Sequence, residues 1–444
     1  MGQKGQMSSF GKAFLSFKRQ VRIMSKSMAK PVLVFALGIL LLGPSSMPAA
    51  ASGGFSPAEI KVMTQNLYVG ADIFRPASAE DLEEFYQLLE ETFLVLDSTN
   101  IFERAQAVAI EVARHRPHLI GLQEVYRIQR LDPGQDPSQA LDLDYLAILE
   151  QALEEQGLHY RTVGSVENLN LTIPFLSGDS PVGFVSLTDR DVILARGDVD
   201  ISDVSSGNYA AKLPVPLPLP LPFSALEVPR GYVAVHATIG GRTFFFVNTH
   251  LEQRGKDLFP AADPRSLSIS AIQVAQAQEL IKRIDSEPGP VIVVGDFNSD
   301  PRDPVLTDPS LPLPLVPPYK QFSFSGYRDV WLTNLLRLLN FDGLTCCQDE
   351  TLSNAVSALD ERIDFIFVRN KPKGSSFSMV GPVLAVVVGD EPRDKTDTSP
   401  ALWPSDHGGV VAWLSIPELK ESNWGISPYA RKTRHFKKGP TSHH

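Results

Sequence analysis

The chain reads as an α/β protein made of two packed β-sheets with helices outside. Three observations lead there. Strand-like apolar runs recur along nearly the whole length. Several are continuous rather than alternating, as in strands covered on both faces. The helical patterns between them are too few for a helix after every strand, which argues against strict βαβ alternation.

Each element has its own local warrant. The runs EIKVMTQ (59–65), HLIGLQE (118–124), RDVILAR (190–196) and GYVAVHATI (231–239) are rich in Val, Ile and other β-formers. So are RTFFFVNTH (242–250), PVIVVGD (290–296), RIDFIFVR (362–369) and GGVVAWLSI (408–416). Helices are predicted over AEDLEEFYQLLEETFLVLD (79–97) and NIFERAQAVAIEVARHRP (100–117). In DYLAILEQALEEQG, Asp144 is placed to cap the start, Leu146, Leu149 and Leu153 share a face, and Gly157 ends the run. In 266–289, Val274, Ala277, Ile281 and Ile284 share a face before Pro and Gly. Two Leu-Pro stretches, 213–223 and 309–318, cannot be central strands. They are expected as stiff loops or edge hairpins whose leucines fold back on the body, with contact to a lipid surface as the other reading. No internal repeat is present.

Composition bounds the function. Hydrophobic residues make up 43% and charged residues 21% of 444, which suits a globular protein. Residues 1–51 have the layout of a secretory signal: Lys26 and Lys30, an apolar run from Val32 to Leu42, then Ala49-Ala50-Ala51. The apolar run is short for a membrane span. A secreted or periplasmic protein is therefore expected, with a catalytic domain over 52–420 and a flexible basic tail over 421–444. That lead carries seven basic residues and no acid, so the net charge of −10 becomes −17 without it. Such a body does not coat nucleic acid non-specifically. A nuclease is not excluded, because a bound metal can supply positive charge locally. The adjacent Cys346 and Cys347 allow no disulfide framework and no thiolate zinc site. They are left open as a vicinal disulfide or two thiols.

Polar residues gather at strand ends. Asn66, Glu124, Asn248, His250, Asp296 and Asn298 follow apolar runs, Asp364 lies inside one, and Asp406 and His407 precede another. Acids, amides and imidazoles without thiolate suit a hard, oxygen-liganded ion such as Mg²⁺ and phosphate-ester hydrolysis. There is no G-x-S-x-G elbow, H-E-x-x-H pair or Walker loop. The i, i+2 spacing of Asp296 and Asn298 predicts one shared direction if the chain stays extended, with Gly295 leaving room and Phe297 turned to the core.

In this order, TQN, LQEV, VNTHLE, GDFNSDP, ERIDFIFV and SDHGGV resemble the endonuclease/exonuclease/phosphatase superfamily from Ile60 to Ile416. The resemblance implies a four-layer α/β sandwich, DNase I-like, with the site at one rim of two mixed sheets. It implies a Mg²⁺-dependent phosphodiester hydrolase, with Mn²⁺ or Ca²⁺ as other metals. Glu124 would be the principal metal ligand, with Asn66 beside it and Asp406 near the metal or leaving group. Asp296 would activate water, and Asn298 would hold the phosphate or orient that acid. Asp364 would pair with a cationic His407, and His250 would contact the phosphate from the other side. Arg190 and Asn248 are expected at the substrate. Asp191 stands where relatives carry an amide; it is expected to point into a turn, with an extra acid beside the phosphate, hindering a highly charged substrate, as the other reading. A monomeric nuclease is the leading expectation, with Arg190, Arg230 beside Tyr232, and Arg254 beside Lys256 as nucleic-acid contacts. A sphingomyelinase-like lipid hydrolase touching membrane through its Leu-Pro loops is the alternative. A non-catalytic binding protein on the same fold is a third.

Overall fold

Two large sheets face each other, and every expected strand takes part. The computed structural model describes residues 58–416 apart from 178–179, 217–224, 261, 335, 337–339, 341 and 370–380. The expected signal segment, the basic tail and the tip of the first Leu-Pro stretch lie outside the described residues. The strands of the first half are β1 (Ala58–Asn66), β2 (Leu119–Gln123), β3 (Arg127–Leu131), β4 (Leu141–Asp144), β5 (Tyr160–Ser177), β6 (Ser180–Arg196), β7 (Asp200–Asn208) and β8 (Leu213–Pro216). Those of the second half are β9 (Ala225–Val228), β10 (Gly231–Ile239), β11 (Arg242–His250), β12 (Val291–Asp296), β13 (Tyr327–Asp329), β14 (Asp364–Arg369), β15 (Gly381–Val388) and β16 (Gly409–Ile416). The α-helices are α1 (Leu82–Ser98), α2 (Ile101–His115), α3 (Tyr145–Glu155), α4 (Gly255–Leu258), α5 (Pro264–Ile284) and α6 (Pro318–Phe324).

The first sheet runs β15-β16-β1-β2-β6-β3-β4, with β5 along the other edge of β6; the second runs β13-β14-β12-β11-β10-β7. Only β1 with β2 and β11 with β12 pair in parallel among the strand pairs described. Strand parity explains the continuous apolar runs. Ile60, Val62, Ile292 and Val294 enter the core between the sheets, whereas their neighbours Met63, Val291 and Val293 face outward. Outside the first sheet, Met63, Ile120 and Leu194 pack on Ala105, Val108 and Leu149 of α2 and α3. Outside the second, Val293, Phe297 and Phe367 pack on Ala277, Leu280 and Phe322 of α5 and α6. Helices, sheet, sheet and helices make the four layers that the motifs implied.

The helix starts follow ordinary capping. Asp144 accepts from Leu146 N at 3.0 Å, Asp81 from Glu84 N at 2.9 Å, and Asp263 from Arg265 N at 2.9 Å. The expected turn at Asp191 is a correction: the residue lies inside β6, wholly buried and opposite Val166 of β5. Sequence hid this because Asp189 and Arg190, just before it, break the apolar pattern. The cysteines form a vicinal disulfide. The arms of the first Leu-Pro stretch fold back as the β8–β9 hairpin, with Leu213 and Val228 buried against Leu169 and Ile269.

The sheets approach most closely near their shared rim. A Cβ on Gly121 would stand 2.5 Å from Val294 Cγ2 and 2.7 Å from Asn248 Oδ1. Asn248, in β11, crosses the gap: its Nδ2 donates to Leu122 O at 2.9 Å and Val192 O at 3.0 Å in the other sheet. Its Oδ1 accepts from Gln123 Nε2 at 2.5 Å. Truncating Asn248 to Ala strands those buried carbonyls, and urea unfolding should lose about 2–3 kcal/mol. A loss within 0.5 kcal/mol, roughly the range of a neutral surface change, would contradict this bridging role.

Candidate active site

The register gathers the polar strand ends on one rim. In the second sheet Asp296 stands opposite both His250 of β11 and Asp364 of β14, so the three form a row. In the first sheet Asn66 stands opposite Gln123, and Glu124 follows at once. β16 runs antiparallel to β1, so the segment before it returns to the same end. Ser405 Oγ donates to Asn66 O at 2.7 Å and accepts from His407 N at 3.1 Å. This hydroxyl ties the SDH segment to the end of β1. Arg104 of α2 supports the same loops from behind. Wholly buried, it donates to the carbonyls of Thr99 at 2.8 Å, Leu67 at 2.8 Å, Tyr68 at 3.2 Å and Pro404 at 3.4 Å.

The centre of the site is one oxygen. Oδ2 of Asp296 lies 3.1 Å from Asn66 Nδ2, 3.5 Å from His250 Nε2 and 3.9 Å from His407 Nε2. Asn66 Nδ2 also donates to Glu124 Oε1 at 3.0 Å, and Val69 N donates to Glu124 Oε2 at 3.2 Å. Asn66 Oδ1 in turn accepts from Tyr68 N at 2.9 Å. Glu124 and Asp406 are half-buried, while Asp296, Asp364, His250 and His407 are buried. Glu124 and Asn298 hold left-handed backbone angles, φ 56° and 47°. Such angles are uncommon outside glycine and frequent at functional sites.

The stretch at 295–298 departs from the expected extended geometry. Asn298 bends back, its N donating to Asp296 Oδ1 at 2.8 Å and its Nδ2 to Leu251 O at 2.9 Å. It orients the acid rather than pointing beside it. Gly295, at φ +149°, makes room for the Thr249 carbonyl, which a Cβ would meet at 1.9 Å. Phe297 is in the core as expected, edge-on to Phe322, Phe365 and Phe367.

Protonation states follow from the neighbours. Burial pushes Asp296 up to about 7, with the like charge of Asp364 adding to it. Burial and the charge of Glu124 raise Asp406 to about 6 against the opposing pull of His407. Burial opposes a charged His407, yet Asp364, Asp406 and Asp296 together hold its pKa well above the ordinary value. As an imidazolium it donates Nδ1–H to Asp364 Oδ2 at 2.9 Å and turns Nε2–H toward Asp296 and Asp406. His250 is the opposite case: burial, Arg230 and His407 press its pKa far down. Arg230 Nη1 lies 3.2 Å from His250 Nδ1, and a guanidinium can only donate. Asn298 Nδ2 comes to Nε2 at 3.2 Å in the same role, so the neutral ring meets a donor at each nitrogen, and Nε2 also faces Asp296 at 3.5 Å.

Two groups of acids have room for a cation. Asp296, Asp364 and His407 offer ligand atoms within 4.8 Å of one another, but a protonated His407 has no lone pair to give. On the other side stand the carboxylates of Glu124 and Asp406, hard oxygen donors, with Asn66 turning its Nδ2 toward Glu124. The rim is short of positive charge: four carboxylates meet one imidazolium, and buried Asp364 Oδ1 has no hydrogen-bond partner. This donor set fits a divalent, oxygen-liganded metal.

The remaining expected residues lie elsewhere. Asn248 is buried in the bridge between the sheets. Arg190 donates to Asp144 Oδ1 at 2.6 Å and Val125 O at 3.1 Å. Arg230 is buried between Asp189, at 3.6 Å, and Glu252, at 3.5 Å. Arg254 binds Asp257 at 2.6 Å, Asp303 at 3.2 Å and also Glu361. Sequence reasoning missed Arg104, Ser405 and the contact of Arg230 with His250. None follows a motif or spacing, because each depends on chain segments brought together by the fold.

Comparison with known proteins agrees with this architecture. The model of the endonuclease/exonuclease/phosphatase family matches residues 98–407. No curated protein matches the chain. Among solved structures, an endonuclease/exonuclease/phosphatase family protein from Bacteroides thetaiotaomicron is 18% identical, covering 82% of this chain and 100% of that one, with a TM-score of 0.49. A mannosyl-6-phosphatase from the same species is 19% identical over 80% of this chain and 100% of its own, TM-score 0.46. TDP2 from D. rerio, complexed with a single-strand DNA product, is 16% identical over 81% and 100%, TM-score 0.42. The family match takes in Glu124, His250, Asp296, Asp364 and His407, and this chain belongs to the endonuclease/exonuclease/phosphatase family of metal-dependent phosphoric ester hydrolases.

Proposed function

We propose that this protein is an exported phosphodiesterase in which Asp296 takes a proton from the attacking water. The observation that carries the reading is the convergence of Asn66, His250 and His407 on Asp296 Oδ2. Glu124, with Asn66 and Asp406, would hold the metal. Mg²⁺ bound there, or Mn²⁺ or Ca²⁺ in its place, would supply Lewis-acid neutralisation of charge on the phosphate. Asp296 Oδ2 accepts one water proton as the water oxygen bonds to phosphorus and the ester P–O bond breaks. His407, charged and held by Asp364, donates Nε2–H to the oxygens on which charge accumulates. His250, kept neutral by burial and Arg230, faces Asp296 Oδ2 from the other side. Asn298 holds Asp296 in place through its backbone N–H.

The nuclease expectation loses its supporting cations. Arg190, Arg230 and Arg254 are each engaged by carboxylates, and Lys256 lies 3.6 Å from Asp303. A polyanion gains affinity by meeting unpaired cations. A substrate with one phosphodiester suits this rim better.

Hydrolysis of bis(4-nitrophenyl) phosphate with Mg²⁺ tests the reading. Asp296→Ala and His407→Ala should each lower kcat by roughly 10²- to 10³-fold. Glu124→Gln should raise the Mg²⁺ concentration needed, and chelator should abolish the activity. Undiminished turnover in chelator would sink the metal mechanism.

The pH profile gives a second test. Asp296 acts as the carboxylate, so the rate rises with pH as it loses its proton, near 7 in the absence of cation. A cation beside it favours the charged form, so the acid limb should move to lower pH as Mg²⁺ approaches saturation. A limb that stays put between low and saturating Mg²⁺ contradicts the assignment.

A further inference from the structure

We propose that an apolar cavity beside the rim holds the hydrocarbon chain of the substrate, which makes that substrate a lipid phosphodiester. This rests on the phosphodiesterase reading and names its substrate class. The cavity has a volume of about 90 Å³ and is partly open to the outside. One water needs about 10–15 Å³, so the space is several times larger than a single solvent site. Three parts of the fold enclose it. Phe74 and Phe93 come from the short turn before α1 and from α1 itself, Leu171 and Leu187 from β5 and β6, and Val215 and Leu226 from the Leu-Pro hairpin.

The chemistry of the wall selects the occupant. Thr92 is its one polar side chain, and that hydroxyl already donates to Leu88 O at 2.9 Å. A buried water needs two to four polar partners and finds none from a side chain here. A nucleobase or sugar would leave its own polar edges unpaired at the same cost. An alkyl or acyl chain loses nothing by entering and gains burial of its methylenes. Empty, the space costs stability in proportion to its volume.

The cavity is within reach of the reacting phosphate by two chain paths. Val69 N bonds Glu124 Oε2, and Ile73, a wall residue, is four residues further on. Ile128, also in the wall, is four residues beyond Glu124. Four extended residues span at most about 14 Å. A lipid chain occupying one leaflet is roughly 15 Å long, so a single lipid is long enough to set its phosphate at Glu124 and its chain in the cavity.

The test uses the full chain with Mg²⁺. Hydrolysis of 4-nitrophenyl phosphocholine, which lacks a chain, is compared with that of lysophosphatidylcholines from six to fourteen carbons, each below its micelle concentration. Each added methylene should raise kcat/KM about three- to fourfold until the cavity is full. Val215→Trp, which fills the cavity from the hairpin, should flatten the series and leave the chainless ester unchanged. Leu171→Phe, from the opposite wall, serves if the first variant folds poorly. Activity on the chainless ester with no chain-length dependence in the wild type would overturn the cavity proposal and leave the phosphodiesterase reading standing. Inactivity on every ester would overturn that reading instead. Displacement of dansyl-undecanoic acid by decanoate, abolished by Val215→Trp, would then still decide the cavity: no binding to the wild type overturns it.

Discussion

One neutral amide sets the width of the site. Asn248 belongs to the second sheet but spends both hydrogens on carbonyls of the first, and takes a third bond from Gln123. Glu124 follows Gln123 directly, and His250 stands two residues beyond Asn248. The gap between the Glu124 carboxylate and the His250 imidazole is therefore fixed by a bridge one residue behind the rim. Gly121 permits that closeness, since any side chain there would collide with the bridge. An amide suits the task because it brings no charge into a core that could not solvate one.

The charges at the rim are arranged around the same geometry. Acids on both sheets crowd a small volume, and burial alone would keep several of them protonated. His407 answers Asp364, Asp406 and Asp296 from one side, and the donor set around Glu124 calls for a cation on the other. Arg104 works by a different route. Its hydrogen bonds go to carbonyl groups, bracing Leu67, Tyr68 and Pro404, while its charge also favours the ionised form of Asp406. Arg230 adds to burial in keeping His250 neutral, through a contact with no role in the chemistry itself.

Much of this was legible in the sequence, for a physical reason. Strands covered on both faces must be continuously apolar, so runs such as 242–250 and 290–296 announce themselves, and a polar residue ending such a run stands out. Asn66, Glu124, His250, Asp296, Asp364 and His407 were all visible in this way. Strands with one solvated face were not: β7 is mostly exposed and polar, and β5 alternates too loosely to be distinguished from a loop. Asp191 was misplaced because its burial is enforced by β5 and the second sheet, neither of which is near in sequence. Asn248, Arg190 and Arg254 looked like substrate contacts because sequence shows the charge of a side chain and not the partner that already occupies it. The bend at Asn298 is a backbone event, and no residue spacing reports it.

The hairpin that walls the cavity has a consequence of its own. A two-stranded ribbon of Leu, Val and Pro outside the main sheets exposes an apolar edge, the kind of feature that recruits other chains into aggregates. In β8, Pro214 and Pro216 occupy alternate positions, so both imino nitrogens point to the same side. Proline cannot donate to a ladder, so the bonds to β9 run through Leu213 and Val215. The outward side is left without donors at both proline positions. A neighbouring strand finds no N–H at either position, so the chemistry of the hairpin's own backbone blunts this apolar edge against pairing.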